Sequence, residues 1–228
     1  MKLINYFWGS ISALAGILLM ICMIIDLTVV QSSFLNYTNE KYNVAEKLSV
    51  TDEELEKVVC TMISYVKGES EDAQIIVEVG GIKTEFFNQK ELKHLLDVKN
   101  LMIIFRKIKI VLTIPFGVGT LFMLKKKKTK ELATGIILTW FVLIVMSLVM
   151  GIMAIIDINN LVNGFHKLFF TDDTWILNPA LDRSVWMFRS DMYKDVLLQI
   201  GKIIFGIFIF TNGIAFIIIL LAKKRSSC

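Results

Sequence analysis

Long apolar stretches dominate the chain and predict helices that cross a membrane. Three of them, residues 3–25, 132–156 and 203–222, contain no Asp, Glu, Lys or Arg. Each reaches the length of about 20 residues that an α-helix needs to cross a hydrocarbon core about 30 Å thick. The sequence lacks the ten-residue alternation that is typical of barrel strands, so these spans are predicted to be helices.

A fourth apolar stretch, residues 101–124, is predicted to be the second span in chain order. Its first half contains Arg106, Lys107 and Lys109. We expect the helix to enter the bilayer with these cations at the level of the headgroups. The alternative is that one of these three cations, with Arg106 as the candidate, points inward as an anion or oxyanion partner, and the sequence does not decide between the two. The predicted fold class is an all-α polytopic membrane protein with four transmembrane helices and a small extracellular α+β cap.

The cap is predicted within residues 26–100, beginning with an amphipathic helix. Thr51 and Glu54 match the capping box, in which a Thr and a Glu three residues later satisfy the first free N–H groups of a helix. The helix is expected over about 52–67 and to end at Gly68. Its buried face is predicted to consist of apolar residues at helical spacing: Leu55, Val58, Val59, Met62 and Val66.

A β-hairpin is predicted next, over residues 73–87. It turns on Gly80-Gly81, a dipeptide typical of a type I′ turn. A two-stranded hairpin is only marginally stable alone, so we expect it to pack on the helix or on the membrane surface. Asn88 is expected to cap the following helix, which runs without a breaker into the second span.

The positive charges predict the orientation of the chain in the membrane. The chain has 228 residues, is 55% hydrophobic and 20% charged, and carries a formal charge of +4. Lys2 and the lysine-rich segments 125–130 and 223–225 fall on one side of a four-helix topology, which the positive-inside rule assigns to the cytoplasm. Both termini are then cytoplasmic, and residues 26–100 and 157–200 face outward. The whole chain is predicted to be one membrane domain, with its lysines as anchors and not as nucleic-acid contacts.

The three cysteines are predicted to lie in three different compartments. Cys22 falls in the bilayer, Cys60 outside and Cys228 inside, so no disulfide is expected. Cys60 is interpreted as a packed residue of the amphipathic helix, the alternative being a nucleophile.

The only two histidines of the chain are both predicted to lie just outside the same membrane face. His94 has Glu91 three residues before it and Asp97 three residues after it. On a helix, either carboxylate can hydrogen-bond one ring nitrogen of His94 and so orient its imidazole. The alternative is a solvated surface histidine with incidental acidic neighbours. His166 lies among large aromatic residues, so it is either half of a site or the polar tip of an interfacial aromatic belt.

Other chemistries find little support in the sequence. No His or Cys spacing typical of a metal site is present, and neither is a nucleophile elbow or a phosphate-binding glycine loop. The three charge-free spans contain no buried ionic pathway, which disfavours an ion-coupled transporter.

Two motifs resemble a known family. The segment FNQKELKHLLDVKNLM, residues 87–102, contains an aromatic-Asn pair, an acid and then His-Leu-x-Asp-Val at the entry to the second span. The segment FHKLFFTDDTWILNPALD, residues 165–182, contains Phe-His-x-x-Phe-Phe followed by Trp, Pro and Asp. With four spans and both motifs outside, the chain is similar to the bacterial lipoprotein intramolecular transacylases.

The resemblance implies a cofactor-free acyl transfer within one substrate at the outer surface of the bacterial cell membrane. The sn-2 acyl chain of a diacylglyceryl-cysteine lipoprotein would move to the α-amine of the same cysteine and give the lyso-form lipoprotein. His166 is the expected base and His94 the acid or oxyanion partner, with the reverse order open. Lipid contacts are expected from four aromatic residues: Phe165, Phe169, Phe170 and Trp175.

The implied partners are the lipoprotein substrate and membrane lipid, with no nucleic acid and no obligate protein partner. Two other functions stay open. One is a non-catalytic scaffold or accessory protein, and the other is an outer-leaflet lipid hydrolase that delivers water instead of the amine.

Overall fold

The computed structural model describes residues 2–29 and 31–226, and most of these residues are helical. The side chains of Lys2 and Arg225 and the whole of Cys228, which entered the topology and cysteine predictions, lie outside the described part. The elements in chain order are α1 Lys2–Val29, α2 Ser32–Lys41, α3 Val44–Leu48, α4 Asp52–Lys67, β1 Ile76–Val79, β2 Ile82–Glu85, α5 Gln89–Lys125, α6 Thr129–Ile156, α7 Ile158–Phe169, α8 Ser184–Met187 and α9 Ser190–Ser226.

The chain packs into two compact units. The helical unit consists of Met1–Ile24, Phe105–Met153 and Ile200–Cys228, and the α+β unit consists of Ile25–Ile104 and Ala154–Gln199. The boundaries of the α+β unit lie within a few residues of the two predicted outer segments. The assignment of the whole chain to one membrane domain stays a prediction.

Small residues bring the helices of the helical unit close together. A Cβ on Gly135 of α6 would lie 2.6 Å from the carbonyl carbon of Gly9 on α1. The Ser12 hydroxyl of α1 lies 3.2 Å from the backbone oxygen of Phe116 and 2.8 Å from the Thr120 hydroxyl, both on α5. Such close backbone approach is typical of helices that pack within lipid, where burial from water does not drive association.

Three helices of the described chain are long and apolar enough to cross a membrane: Leu3–Thr28, Thr129–Ile156 and Ser190–Lys224. They contain the three charge-free spans of the sequence analysis. The fourth predicted span lies on α5, which is one continuous helix but is not among these three. The four-span arrangement therefore stays a prediction.

The core of the α+β unit forms around α4, as the apolar spacing predicted. Thr51 accepts a hydrogen bond from the Glu54 N–H at 3.2 Å, and Gly68 ends the helix with a φ of 74°. All five predicted positions are buried. The Glu54 side chain, however, does not complete a capping box. Its carboxylate accepts the Glu78 N–H at 2.6 Å, which ties β1 to α4.

The hairpin is confirmed at the predicted place. Its turn residues Gly80 and Gly81 have φ values of 57° and 86°, the left-handed conformation that a type I′ turn requires at both positions. Val77 and Phe86 enter the core that α4 forms, so the hairpin is stabilised by packing on that helix.

Several features of the α+β unit differ from the sequence analysis. Helices α2 and α3 were not predicted, and α3 lies between Asn43 and Ser49, two non-glycine residues in the left-handed region. Residues 158–169, within the outward-facing segment 157–200, form helix α7, which was not predicted. The expectation that Cys60 is packed is wrong, because its side chain is exposed on the outer face of α4.

Candidate active site

His94 lies in the second turn of α5, the start of which is held by reciprocal capping. The Asn88 side chain accepts the N–H groups of Lys90 and Glu91 at 2.9 and 3.0 Å. The Glu91 carboxylate in turn accepts the Asn88 N–H at 2.8 Å. Asn88 was predicted as the N-cap, and its reciprocal bonds with Glu91 form a capping box that fixes the direction of the first turn and therefore of the His94 side chain.

His166 lies in the last turn of α7. Asp157 caps that helix by accepting the N–H groups of Asn159 and Asn160 at 2.9 and 3.1 Å. The Nδ1 of His166 lies 2.8 Å from the backbone oxygen of Val162. A carbonyl oxygen can only accept, so Nδ1 carries the hydrogen and, in the neutral ring, Nε2 keeps a free lone pair.

The two imidazoles meet inside a group of aromatic rings. Their ring centroids are 5.8 Å apart. The Phe170 ring lies 5.1 Å from His94 and 5.6 Å from His166, and Trp175 stacks on His166 at 5.0 Å. Phe165 contacts both His166, at 5.7 Å, and Phe169, at 4.7 Å. All four aromatic residues selected from the sequence are therefore grouped around the histidine pair.

Burial keeps both imidazoles neutral near pH 7. Desolvation, reinforced by repulsion from His166, lowers the pKa of His94 from 6.5 to about 4, and the Asp172 carboxylate opposes this effect. Desolvation also lowers the pKa of His166, against the hydrogen bond from Nδ1 to Val162. A neutral imidazole is the form that can accept a proton from a reacting group.

The carboxylates do not orient His94 in the way that the sequence spacing suggested. Glu91 is 2% exposed and accepts the N–H and the hydroxyl of Ser184 at 2.7 and 2.6 Å, in addition to the Asn88 N–H. The Asp97 carboxylate lies 3.3 Å from the Thr174 hydroxyl, which is closer to Asp172, at 2.6 Å. The carboxylate that acts electrostatically on His94 is Asp172, which the sequence analysis missed because only the folded chain brings it near α5.

A buried polar cluster holds the segment after α7 against the start of α5. The Asp182 carboxylate is 3% exposed and accepts the Asn88 side-chain amide at 2.7 Å and the Asn178 N–H at 2.6 Å. Together with the Glu91–Ser184 bonds, it anchors the segment that carries Trp175. The cluster thus positions the aromatic wall of the site relative to the helix that carries His94.

Two further predictions concern residues or ligands at the site. Arg106 belongs to the helical unit and makes interactions of its own, so its role toward substrate stays a prediction. Within residues 2–29 and 31–226, no three His, Cys, Asp or Glu side chains are grouped so that they could hold a metal ion.

Comparison with solved structures identifies the fold. The structure of the membrane-integral lipoprotein intramolecular transacylase Lit from Bacillus cereus superposes with a TM-score of 0.72 over 99% of this chain and 98% of that chain, at 18% identity. Two variants of the same protein, with a histidine replaced by arginine or by alanine, give TM-scores of 0.71 and 0.70 at 20% identity. They cover 100% and 99% of this chain, and 95% and 96% of theirs.

A sequence-family profile matches most of the chain. The comparison with curated proteins gives no match. The sequence profile of the lipoprotein intramolecular transacylase Lit family matches residues 10–193, a range that contains both histidines. Because the profile covers well over half of the sequence and the fold agrees throughout its length, the chain belongs to the lipoprotein intramolecular transacylase family and is a membrane transacylase.

Proposed function

We propose that the protein moves the sn-2 acyl chain of a diacylglyceryl-cysteine lipoprotein to the α-amine of that cysteine. The product is the N-acyl, S-monoacylglyceryl lyso-form. One observation carries the proposal: the only two histidines, on separate helices, lie with their rings 5.8 Å apart among aromatic side chains. Because donor and acceptor belong to one molecule, the reaction needs no cofactor, only proximity and proton transfer.

The geometry favours His166 as the base. The amine nitrogen attacks the sn-2 ester carbonyl, and the C–O bond to glycerol breaks when the tetrahedral intermediate collapses. The nitrogen must lose a proton, which the free Nε2 of His166 accepts, and this proton must be passed on to the glycerol oxygen. His94, 5.8 Å away, serves as the acid or as the hydrogen-bond partner of the oxyanion. An α-amine has a pKa of about 7.7–8.0, so the amine itself is a competent nucleophile and no serine or cysteine is needed.

The aromatic group suits a lipid substrate. Phe165 and Phe169 are exposed apolar side chains next to His166, and they provide a surface along which an acyl chain can lie. Within the proposed topology, α5 supplies the fourth span, both termini are cytoplasmic, and the histidines face the outer leaflet. Membrane lipid and the lipoprotein are then the partners that the site requires.

Mass spectrometry of a reporter tests the reaction. The protein is co-expressed with a tagged diacyl lipoprotein, and the N-terminal peptide of the reporter is analysed for N-acylation and loss of one glyceryl-linked chain. His94→Gln and His166→Gln should each lower lyso-form production by about 10²-fold or more. Lys167→Gln, at an exposed neighbouring position, should not. Unchanged production in both histidine variants contradicts the mechanism, and free fatty acid in place of N-acylated product selects a hydrolase.

Cysteine labelling tests the orientation. Cys60 is exposed in the α+β unit, so a membrane-impermeant maleimide should label it in intact cells. Cys60→Ser should abolish that labelling. Labelling that appears only after the cells are opened contradicts the outward-facing topology.

A further inference from the structure

A small pocket adjoins the histidine pair within the α+β unit. Its volume is about 130 Å³, and Asp97 and Asn100 of α5 form its polar side while Ile104, Phe169 and Phe170 form its apolar side. Phe170 is also the ring that contacts both imidazoles. The pocket and the histidine pair therefore share a wall, so a ligand group held in the pocket lies next to the proposed reacting centre.

The polar side of this pocket carries one negative charge that has no cation paired with it among the described residues. Asp97 and Asp172 both approach the Thr174 hydroxyl, at 3.3 and 2.6 Å. A hydroxyl has a single hydrogen to donate, and the shorter distance assigns it to Asp172. Lys93 pairs with Asp172 at 2.8 Å. Two carboxylates thus face one ammonium group, and Asp97 is the carboxylate left to bind a further donor.

The groups around Asp97 favour a cationic ligand. Lys93 and His94 come from α5, Asp172 from the segment after α7, and His166 from α7. Burial lowers the pKa of both imidazoles, which favours their neutral forms near pH 7. The sum over Lys93, Asp97 and Asp172 is one negative charge, at a site with apolar walls where attraction between charges is stronger than in water.

We propose that Asp97 binds the α-ammonium group of the N-terminal cysteine of the lipoprotein. The proposal rests on the proposed function, because it names the subsite that holds the nucleophile of that reaction. The α-ammonium has a pKa of about 7.7–8.0, so it is mostly cationic at neutral pH. It carries three N–H groups, so one can donate to Asp97 while another points toward the imidazoles across Phe170.

The proton balance of this subsite is simple. The bound ammonium releases one proton to solvent and becomes the amine, which keeps its N–H bond to Asp97. The amine then attacks the ester, its second departing proton moves to Nε2 of His166, and His166 delivers that proton, directly or through His94, to the glycerol oxygen as the C–O bond breaks. Asp97 takes up no proton in this sequence. It selects a substrate with a free amine and directs the nitrogen.

A binding experiment without turnover tests the subsite. Two ether-linked diacylglyceryl-thioether peptides, which cannot transfer an acyl chain, are compared on the full-length protein in lipid nanodiscs. One has the free α-amine, and the other has hydrogen in place of the amino group. Wild type should bind the amine probe about tenfold more tightly or better at pH 7, because a hydrogen bond between charged partners is lost with the other probe. That preference should shrink above about pH 9, where the neutral amine keeps its N–H bond to Asp97 but has lost its positive charge.

Matched variants separate capture of the amine from a structural role. Asp97→Asn should remove the preference, while Thr174→Val, which removes the hydroxyl beside Asp97 but keeps its carboxylate, should retain it. Equal binding of both probes by wild type, a preference of undiminished size at high pH, or loss in both variants overturns the subsite. If the preference behaves as expected while an ester substrate yields no N-acylated product, the proposed reaction fails and the subsite stands.

Discussion

Replacement of Glu91 by glutamine should release the segment that carries Trp175 from the helix that carries His94. The buried carboxylate accepts three hydrogen bonds, from the Asn88 N–H, the Ser184 N–H and the Ser184 hydroxyl, at 2.8, 2.7 and 2.6 Å. The substitution keeps the shape of the side chain but removes its charge and turns one acceptor into a donor. Glu91→Gln is therefore a test of hydrogen bonding and not of volume.

The magnitude follows from the three bonds. If the amide oxygen of the new side chain faces Ser184, its NH₂ group faces the Asn88 N–H, and one buried donor is left unpaired at a cost of about 1–3 kcal/mol. The bonds to Ser184 also lose their charge assistance, which costs about another 1 kcal/mol. The free energy that holds the segment closed should therefore fall by about 2–4 kcal/mol.

Hydrogen exchange measured by mass spectrometry can detect this change at individual backbone amides. A loss of about 2–4 kcal/mol corresponds to exchange that is faster by about 30-fold to several hundredfold at the Ser184 amide, if that amide exchanges through opening of the segment. Glu71→Gln makes the same chemical change at an exposed position and should leave the rate unaltered. Exchange in Glu91→Gln that stays within about threefold of wild type refutes the reasoning, because the carboxylate then does not hold the segment.

Three other predictions address packing, pH and capping. Gly135→Ala should lower the melting temperature, because the new Cβ would lie 2.6 Å from the Gly9 backbone. Gly151→Ala should leave it unchanged, because no atom lies within 4 Å of that position. Equal melting temperatures for the two variants argue against close packing of α1 and α6. Burial lowers the pKa of His94 from 6.5 to about 4 in the folded protein, so below pH 6.5 the unfolded chain binds the proton first and stability is lost as the pH falls toward 4. His94→Gln should flatten that fall between pH 7 and 4.5, and an identical profile contradicts it. Thr51→Ala should destabilise α4 by about 1 kcal/mol in urea titrations, while Thr51→Ser keeps the cap and should match wild type.

Local signals in the sequence were sufficient for many elements of the fold. The three apolar helices, the N-cap at Thr51, the turn at Gly80-Gly81 and the N-cap at Asn88 each depend on residues close together in the chain, and all were predicted at the right place. Helix α7 had such a signal in its N-cap, Asp157, which the sequence analysis did not use. The non-glycine left-handed residues around α3 have no comparable signal.

The roles of the acidic residues could not be predicted from spacing. Glu91 and Asp97 lie three residues to either side of His94, so on a helix with 3.6 residues per turn they flank it by about 60° on opposite sides and point in different directions. Spacing therefore permits each to turn toward His94 or away from it. Glu91 points into the core because its carboxylate accepts hydrogen bonds from the N–H and the hydroxyl of Ser184, and Asp97 lies beside the Thr174 hydroxyl. Ser184 and Thr174 are both more than 70 positions away in the sequence, so spacing around His94 gives no sign of them.

The sequence by itself determined the family, the apolar helices and the two histidines with their aromatic neighbours, because each is expressed in a continuous motif. Only the tertiary structure decided that the imidazoles lie 5.8 Å apart, that Asp172 and not Glu91 acts on His94, and that Asp97 lines a pocket. The physical reason is that burial and electrostatic fields depend on distances between residues that the chain separates by many positions. Those distances arise when the Glu91–Ser184 and Asn88–Asp182 hydrogen bonds close the segment after α7 onto α5.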